Sequence, residues 1–215
     1  LLHMRLFPYR YAAAQEAAKT GMPIMRALVL NYQDDEQARA AKDEYLFGPD
    51  MLVAPIVNEG TQRPVYLPAG AWIDYWTGEQ IAGGKTIVVD ATVDTIPLYV
   101  RQGTVLPRLP DDVMTLVPQS ESGNRIVPGM DDRRVFEIIG DGGDTTRTDF
   151  EGRIFTRSGN TLTITGDSAA HMIVRWRFAH VQSVTVNGAP AKLDTSGTEP
   201  FVEFDHTHQS TIAWQ

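Results

Sequence analysis

An acidic loop, GDGGDTTRTDFEG at residues 140–152, carries side chains that could bind a cation. It carries Asp141, Asp144 and Asp149, whose carboxylate oxygens are the kind of ligand that Ca²⁺ prefers. The spacing does not match the EF-hand loop. Because Asp and Gly are also the residues that build tight turns, we predict a structural turn here, with a calcium site as the alternative.

Two histidines, His206 and His208, are two residues apart, so they would share one face of a strand and could contact a metal. The sequence has no cysteine and no accompanying ligand motif, and a polar strand end is the simpler explanation. We therefore predict no metal site and no cofactor. No Walker loop, dinucleotide fingerprint or nucleophile elbow is present, and spacing identifies no catalytic pair of carboxylates.

The segment GAWIDYWTGE at residues 70–79 contains aromatic residues that could stack on a sugar ring or fill a core. Trp72 and Trp76 would share one strand face while Tyr75 points to the other, which favours core packing for both tryptophans. Asp74 and Gly78 would support the turn that follows.

Trp176 and Trp214 carry the same ambiguity between sugar contact and core packing. Trp176 shares a strand face with Val174, and this alternation favours burial.

The chain has 215 residues, with 19 Lys and Arg against 27 Asp and Glu, so its net charge is −8. This acidic balance disfavours nucleic acids and anionic membranes as partners. The hydrophobic content of 42% and the charged content of 21% are those of an ordinary globular protein.

Hydrophobic spacing predicts helix, strand and helix before residue 50. The first helix covers residues 1–20, is kinked near Pro8 and ends at Gly21. The run MPIMRALVLNY (22–32) predicts a strand buried on both faces. The second helix, EQARAAKDEYLF (36–47), would be capped by Asp34 or Asp35.

From Met51 onward, short apolar or alternating runs separated by Gly, Pro and Asn predict antiparallel β-sandwiches without a further long helix. One of these runs is VMTLV at 113–117. Tight turns are predicted at 158–160 and at Asn187-Gly188. The segment VLPRLPDDV (105–113) predicts a linker between two sandwiches. The fold class is therefore mainly β, with two consecutive antiparallel β-sandwich domains after a helix-strand-helix segment.

Three segments in this order resemble the carboxyl-terminal part of glycoside hydrolase family 31, which includes α-glucosidases and α-xylosidases. They cover about half of the chain, and the remainder is less similar. They are LFPYRYAAAQEAAKTGMPIMRAL (6–28), DEYLFGPDMLVAPIVNEGTQRPVYLPAGAWIDYWTGE (43–79) and GGKTIVVDATVDTIPLYVRQGTVLP (83–107).

The resemblance implies three parts: residues 1–48 as late elements of a (β/α)8 barrel, with Arg26 in its final strand, then a proximal sandwich at 49–110 and a distal sandwich at 111–215. It also implies a retaining mechanism that uses two aspartates from barrel strands preceding Leu1. We therefore expect the chain alone to be inactive and to serve as a structural region of a parent α-glycosidase acting on α-linked glucosides or xylosides.

The parent catalytic barrel is the expected partner, and Arg26, Trp72, Asp74, Trp76 and Gly78 are expected to be structural. Two other functions stay open: a carbohydrate-binding module that holds an oligosaccharide on exposed aromatics such as Trp176 and Trp214, and a protein-interaction domain. A barrel strand at Ile24–Leu30 without its neighbours would also promote self-association.

Overall fold

The structure is a computed structural model that describes residues 2–57, 59–90, 94–113 and 133–215. The chain divides into two compact units. The first unit is Ala13–Gln102, and the second unit combines Leu1–Ala12 with Gly103–Gln215. Among the described residues, no helix is long and apolar enough to cross a membrane.

The predicted amino-terminal helix is present, with a break near its start. Helix α1 (Leu2–Arg5) and helix α2 (Phe7–Thr20) are separated at Leu6. Pro8 lies in the first turn of α2, where its missing N–H is tolerated, but it cannot donate to the carbonyl one turn earlier. The break confirms the predicted kink. Gly21 ends the helix with φ +79°.

The first unit contains two antiparallel sheets. One has six strands in the order β1-β2-β3-β8-β5-β6, and the other pairs β4 with β7. The strands are β1 (Met25–Ala27), β2 (Tyr45–Phe47), β3 (Met51–Val53), β4 (Gln62–Leu67), β5 (Ala71–Asp74), β6 (Gln80–Ala82), β7 (Lys85–Asp90) and β8 (Leu98–Arg101).

The two sheets of the first unit share a core that is centred on Trp72. Leu52 and Tyr99 contribute from the six-stranded sheet, and Val65 and Leu67 from the β4–β7 pair. The Trp72 indole is fully buried and donates from Nε1 to the Pro68 carbonyl at 2.8 Å. The predicted core role of Trp72 is therefore confirmed.

The predicted strand at 22–32 is wrong in length and burial. Only Met25–Ala27 is extended, with Met25 and Ala27 exposed and Arg26 buried, and Leu28–Leu30 forms a 3-10 turn. The amides of Asn31 and Tyr32 both donate to the Leu28 carbonyl, and these bonds curl the chain away from the strand.

The predicted second helix is shorter than expected. Asp35 caps α3 (Glu36–Ala40) by accepting hydrogen bonds from the amides of Gln37 and Ala38, as one predicted cap requires. The apolar end of the same run becomes β2, because Tyr45–Phe47 pairs with β1 on one side and β3 on the other. Tertiary strand pairing outweighs the local helix propensity there.

The second unit is a two-sheet β-sandwich. A four-stranded sheet has the order β17-β14-β10-β9, and a six-stranded sheet has the order β11-β12-β13-β18-β15-β16. The strands are β9 (Val105–Arg108), β10 (Arg133–Ile139), β11 (Asp144–Thr148), β12 (Ile154–Ser158), β13 (Thr161–Thr165), β14 (Ala170–Arg177), β15 (Val184–Val186), β16 (Ala189–Ala191), β17 (Phe201–His206) and β18 (Gln209–Trp214).

The sandwich core of the second unit lies between these sheets. Phe136, Val174 and Trp176 come from the four-stranded sheet, whereas Phe155 and Trp214 come from the six-stranded sheet. The mainly β prediction is thus confirmed. The sheets are not purely antiparallel, because β10 and β14 are parallel across Arg133–Ile139 and His171–Arg177.

Part of the predicted linker is a strand, so that prediction is wrong at its start. Val105–Arg108 forms β9 at the edge of the four-stranded sheet, where Pro107 lies opposite Phe136. An edge strand tolerates proline because one side of its backbone makes no ladder bonds. The predicted strand at 113–117 lies almost entirely outside the described residues.

Both predicted tight turns connect neighbouring strands, as expected. Gly159, with φ +54°, joins β12 to β13. Asn187 and Gly188, with φ of +53° and +80°, join β15 to β16. Two consecutive positive φ angles are typical of the hairpin turn that Asn-Gly favours.

Gly83 offers a test of the Trp72 packing. A Cβ at residue 83 would overlap the Pro68 carbonyl oxygen and lie 3.0 Å from Trp72 Nε1. We expect Gly83→Ala to lower the free energy of unfolding by about 2 kcal/mol. Gly197→Ala is the matched control, because a Cβ there meets only the Glu199 carbonyl, at 4.0 Å. Equal urea-denaturation midpoints for the two variants would contradict this packing.

Candidate functional site

The acidic loop does not gather its three candidate calcium ligands. Asp141 Oδ2 lies 2.7 Å from Nδ1 of His180, and Asp141 Oδ1 accepts a hydrogen bond from the His180 amide. Asp144 is exposed and accepts a hydrogen bond from the Gly159 amide at 3.0 Å. Asp149 is buried and is engaged elsewhere. The three carboxylates therefore serve three different contacts.

Asp149 supports a tight loop around the buried guanidinium of Arg153. Its Oδ1 accepts from the amides of Glu151 and Arg153, and its Oδ2 accepts from Arg153 Nε at 2.8 Å. Arg153 also donates to the Ser168 carbonyl at 3.0 Å and forms an ion pair with Glu151. Glu151 is in turn bound by two nitrogens of Arg134 at 2.6 and 2.8 Å. This network supports the predicted structural turn.

No metal centre is formed by the histidines. Across the described residues, no three His, Asp or Glu side chains are placed to hold a metal ion. His206 is buried, donates from Nε2 to the Gly166 carbonyl at 3.0 Å, and its Nδ1 lies 2.9 Å from the Ser210 hydroxyl. Burial lowers the pKa of His206. His208 lies beyond the end of β17 and contacts Asp167, so the two histidines do not share a strand face.

The tryptophans divide into buried and exposed positions. Trp176 and Trp214 are 1% and 3% exposed, and their rings meet edge to face at 5.6 Å in the second unit. They cannot form the exposed sugar platform that one alternative required. Trp76, in contrast, is 46% exposed, so the prediction that it fills the core is wrong.

Trp76 is exposed because Asp74 builds a turn at the end of its strand. Strand β5 ends at Asp74, whose Oδ1 accepts from the amides of Trp76 and Thr77, each at 2.8 Å. Gly78 completes the turn with φ +81°, and its amide donates to the Asp74 carbonyl. Trp76 is past the strand end, where side-chain alternation no longer applies. Its indole Nε1 donates to the Ile96 carbonyl at 2.8 Å.

Arg26 is buried within the first unit at 2% exposure. Its guanidinium donates to Glu16 Oε2 at 2.5 Å and, through Nε, to the Pro23 carbonyl at 2.9 Å. Arg26 thereby connects helix α2 to strand β1.

The first unit also contains an open cleft of about 290 Å³ that sequence analysis did not predict. Its wall includes Glu44, which accepts from the Tyr66 amide through both carboxylate oxygens at 3.1 and 3.2 Å and pairs with Arg63 at 3.4 Å. Tyr66 OH donates to the cap residue Asp35 at 2.6 Å, and this bond lowers the pKa of Asp35. The remaining polar lining includes Gln37, Lys42, Asp43 and Thr86.

Burial raises the pKa of Glu44 to about 7, although the Tyr66 amide and Arg63 oppose this rise. Such a carboxyl could exchange a proton near neutral pH. Both of its oxygens and the Arg63 guanidinium are nevertheless committed to backbone contacts, which tie the segment after α3 to β4. No local spacing signals this arrangement, because the partners are 22 residues apart in the chain.

The Asp149 network distinguishes a structural turn from an ion site. We expect Asp149→Asn to lower the free energy of unfolding by about 3 kcal/mol, because it removes one of the two carboxylates that balance the buried Arg153 charge. Asp144→Asn, an exposed control in the same loop, should change it by less than about 0.5 kcal/mol. Calcium or a chelator should leave the melting temperature unchanged. A calcium-dependent increase that Asp149→Asn abolishes would identify an ion site instead.

Glu44 predicts a specific pH dependence of stability. Its pKa is about 7 in the folded chain and near its ordinary value of 4.5 when unfolded, so its stabilising contribution is present below pH 4.5 and is lost as pH rises through 7. Between pH 5.5 and 8.5 this loss should be about 2 kcal/mol. Urea denaturation of Glu44→Gln should lack this component, whereas the exposed control Glu79→Gln should retain it. Identical pH profiles for all three proteins would refute the assignment.

Comparison with known proteins identifies the family. Residues 21–106 match the model of the glycosyl hydrolase family 31 C-terminal domain. The isomaltosyltransferase of Sporosarcina globispora is 44% identical over 105 residues, which are 48% of this chain and 10% of that protein. The α-xylosidase of Saccharolobus solfataricus is 41% identical over 114 residues, 52% of this chain and 16% of that protein. Neutral α-glucosidase AB of Sus scrofa is 30% identical over 231 residues, 96% of this chain and 23% of that protein.

Solved structures extend the similarity of fold to nearly the whole chain. The cycloalternan-forming enzyme of Listeria monocytogenes, in complex with a pentasaccharide substrate, has a TM-score of 0.76 at 27% identity, covering 98% of this chain and 22% of that one. The family 31 dextranase of Flavobacterium johnsoniae has a TM-score of 0.77 at 24% identity, over 100% of this chain and 32% of that one, and supports the fold alone. The chain thus spans less than a third of the length of each of these relatives. It is a carboxyl-terminal portion of glycoside hydrolase family 31, with that family's C-terminal domain at residues 21–106.

Proposed function

We propose that this chain is the non-catalytic accessory region of a retaining α-glycosidase that acts on α-linked glucosides or xylosides. The observation that carries the proposal is the match of residues 21–106 to the family's C-terminal domain, together with relatives named as an α-xylosidase and an α-glucosidase. The acidic residues also support it. Asp35, Asp74 and Asp149 each accept backbone amide hydrogen bonds, so these carboxylates hold turns and a helix cap rather than facing a substrate.

In this proposal, residues 1–48 are late elements of the parent's (β/α)8 barrel and the proximal sandwich begins at residue 49. The distal sandwich begins at Gly103 rather than at the predicted residue 111, because β9 pairs with β10 in the second unit. Arg26 would hold the last barrel strand to helix α2 through its bond to Glu16. Trp72, Asp74 and Gly78 would maintain the proximal sandwich through the core and the turn described above. Trp76 would contribute its exposed ring to a surface.

The parent catalytic barrel is the proposed partner. Strand β1 lies at one end of its six-stranded sheet, so within the described residues it pairs on one side only. Unpaired strand edges are sites for strand addition, and Met25 beside this edge is 59% exposed. A second copy of the chain is the alternative occupant. A molar mass that rises with concentration in light scattering would favour the second copy.

The purified chain tests the non-catalytic assignment directly. We expect no hydrolysis of chromogenic α-glucosides or α-xylosides, because the proposed accessory region does not carry the catalytic site. A full-length family 31 α-glucosidase assayed in parallel provides the positive control. Turnover by the chain that survives repeated purification and follows one chromatographic peak would overturn the proposal.

A carbohydrate-binding role is the second candidate, and one observation favours it. Burial removes Trp176 and Trp214 from consideration, but Tyr11 in the second unit is 46% exposed and belongs to a cluster of aromatic rings. An exposed ring held by other rings is the kind of surface on which a sugar can stack.

A further inference from the structure

We propose that Asn187 is a site of spontaneous deamidation, in which the backbone nitrogen of Gly188 attacks the Asn187 side chain. The site lies in a surface hairpin of the second unit and is independent of the proposed function. Among the asparagines of the sequence, only Asn187 is followed by glycine. Glycine has no Cβ, so it leaves the attacking nitrogen unhindered.

The reaction needs only water and releases only ammonia. The Gly188 nitrogen loses its proton and forms a bond to Cγ of Asn187, while Nδ2 takes up a proton and leaves as ammonia. These changes close a five-membered succinimide ring. Water then adds to one of the two ring carbonyls and breaks its bond to nitrogen. One opening leaves aspartate at residue 187, and the other leaves isoaspartate, which places an additional methylene in the backbone.

The surroundings of the turn leave room for this chemistry. Asn187 and Gly188 are both exposed, so water reaches the side chain and ammonia can leave. A Cβ at residue 188 would have no heavy atom of the described residues within 4 Å. No packing contact beside Gly188 therefore opposes closure of the ring.

A hydrogen bond from strand β18 activates the carbon that is attacked. The Thr211 amide donates to Asn187 Oδ1 at 2.9 Å. This donor draws electron density from Cγ and stabilises the negative charge that Oδ1 carries once the nitrogen has added, as an oxyanion-hole donor does. The bond involves Oδ1 and not Nδ2, which is the leaving group.

The position of the hairpin at the edge of its sheet allows the required motion. The Gly188 nitrogen reaches Cγ only after the backbone rotates at Asn187, so the turn must open locally. Strands β15 and β16 pair over three residues, and within the described residues β16 pairs on one side only. Ala189 and Pro190 of β16 are exposed. Opening such an edge disrupts few buried contacts and therefore costs little free energy.

Asn160 provides the internal comparison, because it is also an exposed turn residue of a hairpin. Its strands, β12 and β13, pair over five residues. Each is also paired on its other side, with β11 and β18 respectively. Thr161, a β-branched residue, follows Asn160 and hinders attack by its own nitrogen. Both the neighbouring residue and the strand pairing therefore oppose deamidation at Asn160.

The two products have different structural consequences. Aspartate at residue 187 keeps an oxygen that can accept from the Thr211 amide. Isoaspartate lengthens the backbone and moves Val186 and Ala189 out of register with each other. Val184, farther along the same strand, is 4% exposed and lies opposite Trp214 in the sheet. Isoaspartate should therefore loosen this edge of the sandwich.

Peptide mass spectrometry of the purified chain, stored in mildly alkaline buffer, measures the conversion of each asparagine to the heavier acid. We expect Asn187 to convert at least about tenfold faster than Asn160 and Asn31, which corresponds to about 1.4 kcal/mol of activation free energy. Storage in mildly acidic buffer should slow the reaction, because the attacking nitrogen must lose its proton. Conversion of Asn187 that is no faster than that of Asn160 would overturn the inference.

Thr161→Gly is the matched control, because it places a glycine after Asn160 in the more extensively paired hairpin. Asn160 of this variant should still convert several-fold more slowly than Asn187. Equal rates would show that the following residue alone sets the rate and would overturn the contribution of edge opening. If thermal unfolding shows that Thr161→Gly is not folded, the unmodified chain in urea replaces it. Unfolding should then accelerate Asn187 by a smaller factor than Asn160, and the reverse order would contradict the inference.

Asn187→Gly tests the structural consequence, because glycine adopts the positive φ of this turn and has no side-chain amide to lose. The stored unmodified chain should develop a second unfolding transition at lower temperature, in proportion to its isoaspartate content. The stored Asn187→Gly chain should keep a single transition. An unchanged melting curve in a chain with isoaspartate at residue 187 would overturn the loosening of the sandwich edge.

Discussion

Burial of arginine guanidinium groups is the constraint on which much of this structure depends. Arg26 in the first unit and Arg153 and Arg157 in the second unit are at most 2% exposed. A buried guanidinium must be surrounded by oxygen acceptors, because its charge and its N–H groups lose water. Arg157 obtains them from the carbonyls of Gly140 and Gly159, and burial lowers its pKa to about 10, so it stays charged at neutral pH.

This constraint determines what the acidic residues do. Asp149 and Glu151, in a loop that resembles a cation site in composition, are instead the counter-charges of Arg153. Glu16 serves Arg26 in the same way. Carboxylates that are committed to buried cations and to backbone amides are not free to exchange protons with a substrate. The physical role of these residues is therefore consistent with an accessory region, whose sandwiches are stabilised by charge pairs within their own cores and loops.

In both units, the aromatic residues divide into buried core rings and exposed surface rings. Trp72 in the first unit, and Trp176 and Trp214 in the second, fill the sandwich cores, and the Arg101 and Arg157 guanidinium groups lie over the Trp72 and Trp214 rings at 5.2 and 5.4 Å. The exposed rings of Trp76 and Tyr11 are instead held in place by an indole hydrogen bond and by neighbouring rings, respectively. Rigid exposed aromatics lose little side-chain entropy when they bind a ligand.

The sequence by itself determined the mainly β class, the helix end at Gly21, a helix cap at Asp34 or Asp35 and the Asn187-Gly188 turn, because each depends on residues close together in the chain. Only the tertiary structure decided the rest. Tyr45–Phe47 became a strand because partners flank it on both sides. The Glu44–Tyr66 contact and the Tyr11–Phe150 cluster join residues that are far apart in sequence. Trp76 became exposed because β5 ends at Asp74, and alternation along a strand carries no information beyond its last paired residue.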